Sequence, residues 1–401
     1  ARQWRAGREG LWERLEARRD ALQGCLWMHC ASVGEFEQGR PVLEAIKHAR
    51  PELPVLLTFF SPSGYEARKG LGSTDPGSLV THVEYLPPDS ATNARRLLDL
   101  VRPRTVLWVK YEFWPQHLAA LRHRGIPVHL VSGIFRSGQP FFRWYGGAWR
   151  SMLGGFTQLF VQDEASRALL VGIGLRNVTV SGDTRFDRVR AIVKADEALP
   201  LAAAFRGEGP VLVCGSTWPA DEALLLDAFK LMGRAPKLLV VPHELDAPHL
   251  RTIEQRFPKP LARWSEVEYS PVDSVRHTLG QSADGTLLVD RMGLLARLYR
   301  HDDMAYVGGG FGDGIHSLLE PAAWGLPVIF GPRHGKFAEA QGLIDAGGGF
   351  AVNDADALAG VLKRLLDDAG SRRAAGEAAA RYVRERSGAT QVVAEHVLHT
   401  L

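Results

Sequence analysis

The stretch GCLWMHCASVGEFEQGRPVLEAIKHARPELPVLLTFF, residues 24–60, holds an apolar run at 24–29, a small-residue turn at 31–35, a helical pattern at 36–49 and a second apolar run at 55–60. Unbroken apolar runs joined by a helix mark parallel strands buried on both faces. Working outward, the same rhythm predicts strands at 80–85, 105–110, 127–132, 159–162 and 178–181. A charged, Ala-rich, Pro-interrupted stretch follows at 190–209, and strands resume at 210–214, 237–241, 286–289, 304–307 and 327–330. Helices are expected between the strands, and at the end over 355–368 and 371–401. The expected fold is α/β, with two Rossmann-like doubly wound domains facing a shared cleft. The expected divisions are a first domain over 1–195, a linker over 196–209, a second domain over 210–375, and a helix over 376–401 packing back toward the first.

Composition supports a globular reading and excludes others. The 401 residues suit two to three domains, and 45% hydrophobic with 23% charged residues is neither disordered chain nor coiled coil. Cys25, Cys30 and Cys214 form no C-x-x-C pair and leave one over, which argues against a disulfide framework or a structural zinc and for a reducing, cytoplasmic setting. No apolar run approaches the length of a transmembrane helix, and residues 1–19 lack the apolar region of a signal peptide. A net charge of +3 gives nucleic-acid binding little support. Residues 101–150 stand apart, with eight basic side chains, the single acid Glu112 and ten aromatics. That mixture reads either as a face for something anionic and greasy, or as an ordinary core with basic edges.

The motifs fall at strand-to-helix turns. Gly308-Gly309-Gly310-Phe311-Gly312-Asp313-Gly314 offers bare backbone N–H groups to a phosphate or nucleotide, yet it does not fit G-x-G-x-x-G. Behind it, Glu320 is either an acceptor for ribose hydroxyls or a solvated helix acid. Gly215-Ser216-Thr217-Trp218 suits phosphate oxygens or a plain helix cap. Ser32-Val33-Gly34-Glu35 sits at the equivalent turn of the first domain, with Glu35 on the cleft side or simply favoured by the helix dipole. Glu112, alone in its basic stretch just past a strand end, needs a structural or catalytic partner, with Lys110 or a nearby Arg as the plain candidate. Gly182-Asp183-Thr184-Arg185-Phe186-Asp187-Arg188 either clamps an anionic substrate or bridges domains by salt links. Walker A, nucleophile-elbow and zincin patterns all fail on spacing, and no catalytic metal or other cofactor is expected.

Taken in order, SVGE (32–35), YEFWP (111–115), GDTRFDR (182–188), GST (215–217), DRMGLL (290–295) and GGGFGDGIHSLLEPAAWGLPVIFGP (308–332) resemble the 3-deoxy-D-manno-octulosonic acid (Kdo) transferases of lipopolysaccharide synthesis. The likeness runs from Trp27 to Val352. It implies a GT-B glycosyltransferase with an acceptor-binding first domain and a CMP-sugar-binding second domain. It also implies an inverting, metal-free reaction from CMP-Kdo to a phosphorylated, acylated diglucosamine lipid A precursor, lipid IVA. By the same resemblance Glu35 is the general base and Glu112 orients the active-site network, while Arg185, Ser216, Thr217, His243, Met292, Gly293, Gly310, Gly312 and Glu320 bind the donor. Ser32, Gly34, Ser63 and Arg136 are assigned to the acceptor. The family often has Glu where Lys110 stands and Asn where Ser317 stands. The implied partners are CMP-Kdo, the lipid A precursor and the anionic inner-membrane surface, with no nucleic acid. The implied place is the cytoplasmic face of that membrane, peripheral or anchored by an N-terminal helix absent from this sequence. Two other readings stand beside it: another GT-B enzyme such as a UDP-sugar transferase or epimerase, and a non-catalytic nucleotide- or membrane-binding protein.

Overall fold

The computed structural model describes every residue except Ala1, Pro76, Tyr111, Glu197, Glu208 and Ala283, and Arg2 by its backbone only. The chain divides into two compact units, Ala1–Arg188 with Arg386–Leu401, and Val189–Glu385. Each is built on one seven-stranded sheet.

The first sheet runs β1 (Leu26–Cys30), β2 (Val55–Phe59), β3 (His82–Tyr85), β4 (Thr105–Val109), β5 (Val128–Gly133), β6 (Gln158–Val161) and β7 (Val178–Val180). Their spatial order is β3-β2-β1-β4-β5-β6-β7, parallel throughout. β1, β2, β4 and β5 are wholly buried, as unbroken apolar runs require when helices cover both faces. One face packs Trp27, Leu56, Trp108 and Leu130, and the other Met28, Leu57, Leu107 and Val131, the alternation that period-two geometry imposes.

The second sheet contains β8 (Val211–Thr217), β9 (Lys237–Pro242), β10 (Leu261–Arg263), β11 (Thr286–Leu288), β12 (Met304–Val307), β13 (Val328–Phe330) and β14 (Gly349–Ala351), ordered β10-β11-β9-β8-β12-β13-β14 and also parallel. The two edge strands β10 and β14 are absent from the sequence reading. Each is three residues long, and none of the three in β10 is fully buried, so neither makes an apolar run. Two further differences concern helices. The stretch read as a linker contains the helix Pro200–Arg206, whose Leu201, Ala202 and Phe205 lie in the second unit's core. The helix expected over 371–401 is two helices, Ala369–Glu385 and Ala389–Thr400. They part at Gly388, whose φ of 124° no helix accommodates. The Asp187 carboxylate then accepts from Gly388 N at 2.7 Å and Thr390 N at 2.8 Å, fastening the second helix to the first unit.

In each sheet the strand order reverses direction once, between β1 and β4 and between β8 and β12. Doubly wound sheets bind ligands outside the carboxyl ends of their strands at these switch points. Three non-glycine residues there hold left-handed backbone: Lys110 after β4 (φ 62°), Ser132 in β5 (φ 54°) and Ser216 in β8 (φ 53°). Such conformations persist where the surroundings over-determine them, and they gather at functional sites.

Candidate active site

At the β1/β4 switch the helix Val33–Ala49 begins with Ser32 as N-cap, its Oγ accepting from Glu35 N at 3.4 Å. The Glu35 carboxylate turns back, and its Oε2 accepts from Ala31 N at 2.5 Å, a capping-box arrangement one residue longer than usual. This fixes a buried acid at a helix N-terminus. Burial raises its pKa to about 7. The Ala31 N–H lowers it in part, the Glu112 carboxylate adds to the rise, and Lys110 opposes it. Gly34 leaves this turn open, since a Cβ there would meet only Ser32 Oγ at 3.9 Å.

Glu112 follows β4. Its Oε2 accepts from Trp114 Nε1 at 3.1 Å and lies 3.5 Å from His29 Nε2, while its carbonyl receives the Trp108 indole N–H. Glu35 and Glu112 therefore share one neighbourhood. Ser63, exposed on the helix Pro62–Arg68 after β2, donates to Ser61 Oγ at 3.3 Å. In GDTRFDR, Arg185 is paired with Asp183 through Nε at 2.8 Å and Nη2 at 2.8 Å. Thr184 Oγ1 contacts Ser132 Oγ at 2.8 Å and donates to the Gln38 carbonyl at 2.6 Å. The motif thus ties β5 to the helix carrying Glu35. Tyr111 of YEFWP lies outside the described residues.

At the β8/β12 switch the chemistry is different. Gly308 N donates to Gly215 O at 2.9 Å, and a Cβ on Gly308 would stand 2.4 Å from Ser216 O. A Cβ on Gly310 would stand 2.6 Å from the Gly331 backbone, so here glycine serves close approach of two loops. Asp221, buried in the helix Pro219–Met232, accepts from Trp218 N at 3.0 Å, Gly309 N at 2.9 Å and Tyr306 Oη at 2.8 Å. One carboxylate therefore sets both turns. The Trp218 and His243 rings stack at 4.6 Å, His243 and His316 at 4.5 Å, and Trp218 Nε1 donates to His316 Nε2 at 3.2 Å. Burial and the neighbouring His243 keep the His316 pKa low, so His316 can accept that bond. Trp218, Gly309, Gly312, Asp313, His316 and Arg333 line a cavity of about 330 Å³ at this helix N-terminus.

The other residues assigned to the donor spread around this switch. Ser216 is half-buried. Thr217 is fully buried and gives its hydroxyl proton to Glu222 at 3.0 Å, so it braces the turn from beneath. Met292 is 79% exposed, next to Gly293 at φ 83°, on the loop after β11. Glu320 is the second residue of the helix Leu319–Ala323, and its charge reaches Tyr299, whose hydroxyl closes over Gly215. Arg136 lies elsewhere in the first unit, exposed, on a groove with Phe135, Phe142 and Leu169. A concavity of about 900 Å³ is lined by Phe113, Leu118, Arg122, Trp149 and Met152 and not by either acid.

Residues 9–188 match the family model described as 3-deoxy-D-manno-octulosonic-acid transferase (kdotransferase). The chain is 30% identical over 414 residues to the 3-deoxy-D-manno-octulosonic acid transferase of Bordetella pertussis, covering 97% of this chain and 92% of that one. The chain belongs to the Kdo transferase family. Another relative is the 3-deoxy-D-manno-octulosonic acid transferase of Aquifex aeolicus, 27% identical with 86% of each chain covered. Membership makes the protein a glycosyltransferase, and its two parallel sheets are the GT-B fold. Among solved structures, the UDP-GlcNAc 2-epimerase of Neisseria meningitidis bound to UDP-GlcNAc has the same fold, with a TM-score of 0.63 at 14% identity, over 93% of this chain and 99% of that one.

Asp221, Arg333 and His29 were given no role from the sequence, and Trp218 and His316 entered only as members of longer motifs. Trp218-Pro219 followed by Asp221 is a helix-start pattern that could have drawn attention to Asp221. The others acquire meaning only from neighbours distant in the chain. Among the described residues no three His, Cys, Asp or Glu side chains gather as a metal site, and no helix is long and apolar enough to cross a membrane.

Proposed function

We propose that the protein transfers Kdo from CMP-Kdo to a phosphorylated, acylated diglucosamine lipid A precursor of the lipid IVA type, with inversion. The observation that carries this reading is Glu35, a buried carboxylate whose pKa of about 7 lets it hold or release a proton near neutrality. An acceptor hydroxyl attacks the anomeric carbon of Kdo and passes its proton to Glu35. The bond to CMP breaks, and its electron pair leaves with the phosphate. Glu112 keeps the Glu35 carboxylate basic and oriented. The transfer so drawn uses no metal or cofactor.

In this reading the glycine-rich turns and Ser216 receive the CMP phosphate on backbone N–H groups, which stabilise the charge that develops as CMP leaves. Thr217 and Asp221 hold those turns. His243 and Met292 flank the nucleotide, and Glu320 accepts from the ribose. Ser32, the open turn at Gly34, and Ser63 bound the acceptor. The apolar groove along Phe113, Leu118, Trp149 and Met152 suits acyl chains. Beside it Trp144 is 92% exposed, with Tyr145 and Arg143 exposed as well, a composition fitted to the anionic cytoplasmic surface of the inner membrane. Arg150 instead braces this turn, donating from Nη1 to the Phe141 and Arg143 carbonyls at 3.1 and 2.9 Å.

The test is CMP release from CMP-Kdo, with and without the lipid A precursor in detergent. Acceptor-dependent release is expected from the wild type. A fall of about 10²- to 10⁴-fold is expected in Glu35→Gln, with CMP binding unchanged. Full-rate release from Glu35→Gln, or no binding of CMP by the wild type, contradicts the reading.

A further inference from the structure

Beneath the two acids lies a buried polar chain in an otherwise aromatic setting. Trp27 Nε1 donates to Thr58 Oγ1 at 2.8 Å, and Thr58 Oγ1 lies 2.9 Å from His29 Nδ1. His29 Nε2 faces Glu112 Oε2, 3.5 Å away, and among the described residues it has no hydrogen-bond partner. Trp27, His29 and Thr58 are all fully buried, and the His29 ring packs on Trp108 at 4.6 Å. Burial lowers the His29 pKa and outweighs the nearby Glu112, so the ring is neutral and carries one proton. The question is which nitrogen holds it.

The donors and acceptors answer this. An indole N–H can only donate, so Thr58 Oγ1 is an acceptor toward Trp27 and has one proton left to give. His29 Nδ1 at 2.9 Å is a better acceptor for it than the Met28 carbonyl at 3.5 Å. That places the ring proton on Nε2. The opposite tautomer would aim a buried Nε2 lone pair at the Glu112 carboxylate, leaving that nitrogen facing an acceptor with no donor.

We propose that Trp27, Thr58 and His29 form a one-directional hydrogen-bond chain that delivers the His29 Nε2–H to Glu112 and makes His29 a positioning residue for the transfer site. The inference rests on the reading of Glu35 as base. His29 touches no reacting atom. It and Trp114 both face Glu112 Oε2, and Glu112 in turn acts on Glu35. The 3.5 Å separation is of the kind that shortens when a substrate closes the site. The charged or titratable groups facing this set are Lys110 and the Cys30 thiol, beside Glu35, Arg8, whose guanidinium acts on Glu112, and His117. His117 Nδ1 is itself engaged by Asp89 at 2.7 Å.

Two measurements test this. In wild-type protein with 15N-labelled histidine, the ring correlations of His29 should show the Nε2–H tautomer; an Nδ1–H pattern overturns the chain. In acceptor-dependent CMP release, His29→Phe should lower kcat by about 10- to 100-fold with KM little changed. Its pH profile should also move, the acidic limb of kcat/KM shifting to lower pH as Glu112 loosens beside Glu35. His29→Gln, which offers an amide N–H near the Nε2 position, should recover most of the rate. A folded His29→Phe with wild-type kcat and pH profile overturns the proposal. If Glu35→Gln retains activity, the reading of Glu35 falls instead, and the two failures are distinguishable.

Discussion

The two switch points have the same topology and opposite chemistry. At β1/β4 the turns present side chains: two carboxylates, a serine cap, and a buried histidine behind them. At β8/β12 they present backbone: five glycines within residues 308–314, of which Gly308 packs so closely on Ser216 and Thr217, and Gly310 on Gly331, that a methyl group would collide. The buried acid of the second site, Asp221, is consumed by three donors and faces inward, whereas Glu35 has a single short bond and a raised pKa. On the proposed function, the same architecture makes a proton-handling site where side chains survive at the turn and an anion-receiving site where they are stripped away.

The largest expected effect breaks the comparison on its first side. If Glu35 is the base, as proposed, Glu35→Gln should cost about 10²- to 10⁴-fold in transfer while leaving CMP affinity as it was. The second side should fail in the converse way. Gly310→Ala forces a Cβ to within 2.6 Å of the Gly331 backbone, so the loops must part. Overpacking of this kind costs about 1–3 kcal/mol of folding stability, and the parted loops should weaken CMP binding, read by calorimetry. The acidic limb of the pH profile should not move in this variant, and a shifted limb would show that the two regions are not separable.

The smallest effect concerns stability. Glu35 has a folded pKa of about 7, above its ordinary value of 4.5. Between those values the folded state holds a proton that the unfolded chain has released, so the Glu35 contribution weakens as pH rises through this window and is lost above about 7. Glu35→Gln, which carries no charge to bury, should therefore melt higher than the wild type at pH 8, by roughly 2–4 °C, and lose that advantage at pH 5. Equal melting at both values would mean that Glu35 is better solvated than its position indicates.

Much of this was legible in the sequence, for identifiable reasons. The inner strands announce themselves because burial on both faces demands unbroken apolar runs, as in LWMHC of β1 and VLLTF of β2. Edge strands such as LAR of β10 need no such run. Glu35 and Glu112 were visible because one caps a helix in SVGE and the other is the lone acid of its stretch. The end of the helix Ala369–Glu385 was not visible, because the cap of the next helix comes from Asp187, some two hundred residues upstream. His29 read as one more residue of an apolar strand, since its partners Thr58 and Glu112 lie on other elements. Asp221 was hidden likewise, as two of its three donors belong to β12 and the loop after it.

The most direct measurement is the pH dependence of kcat/KM for acceptor-dependent CMP release, taken from pH 5 to 9. If Glu35 is the base, activity requires its ionised form, so the rate should rise tenfold per pH unit on the acid side and level off through about 7. In Glu35→Gln this limb should disappear along with the activity. A limb near the ordinary carboxylate value, or one that persists in Glu35→Gln, would contradict the account.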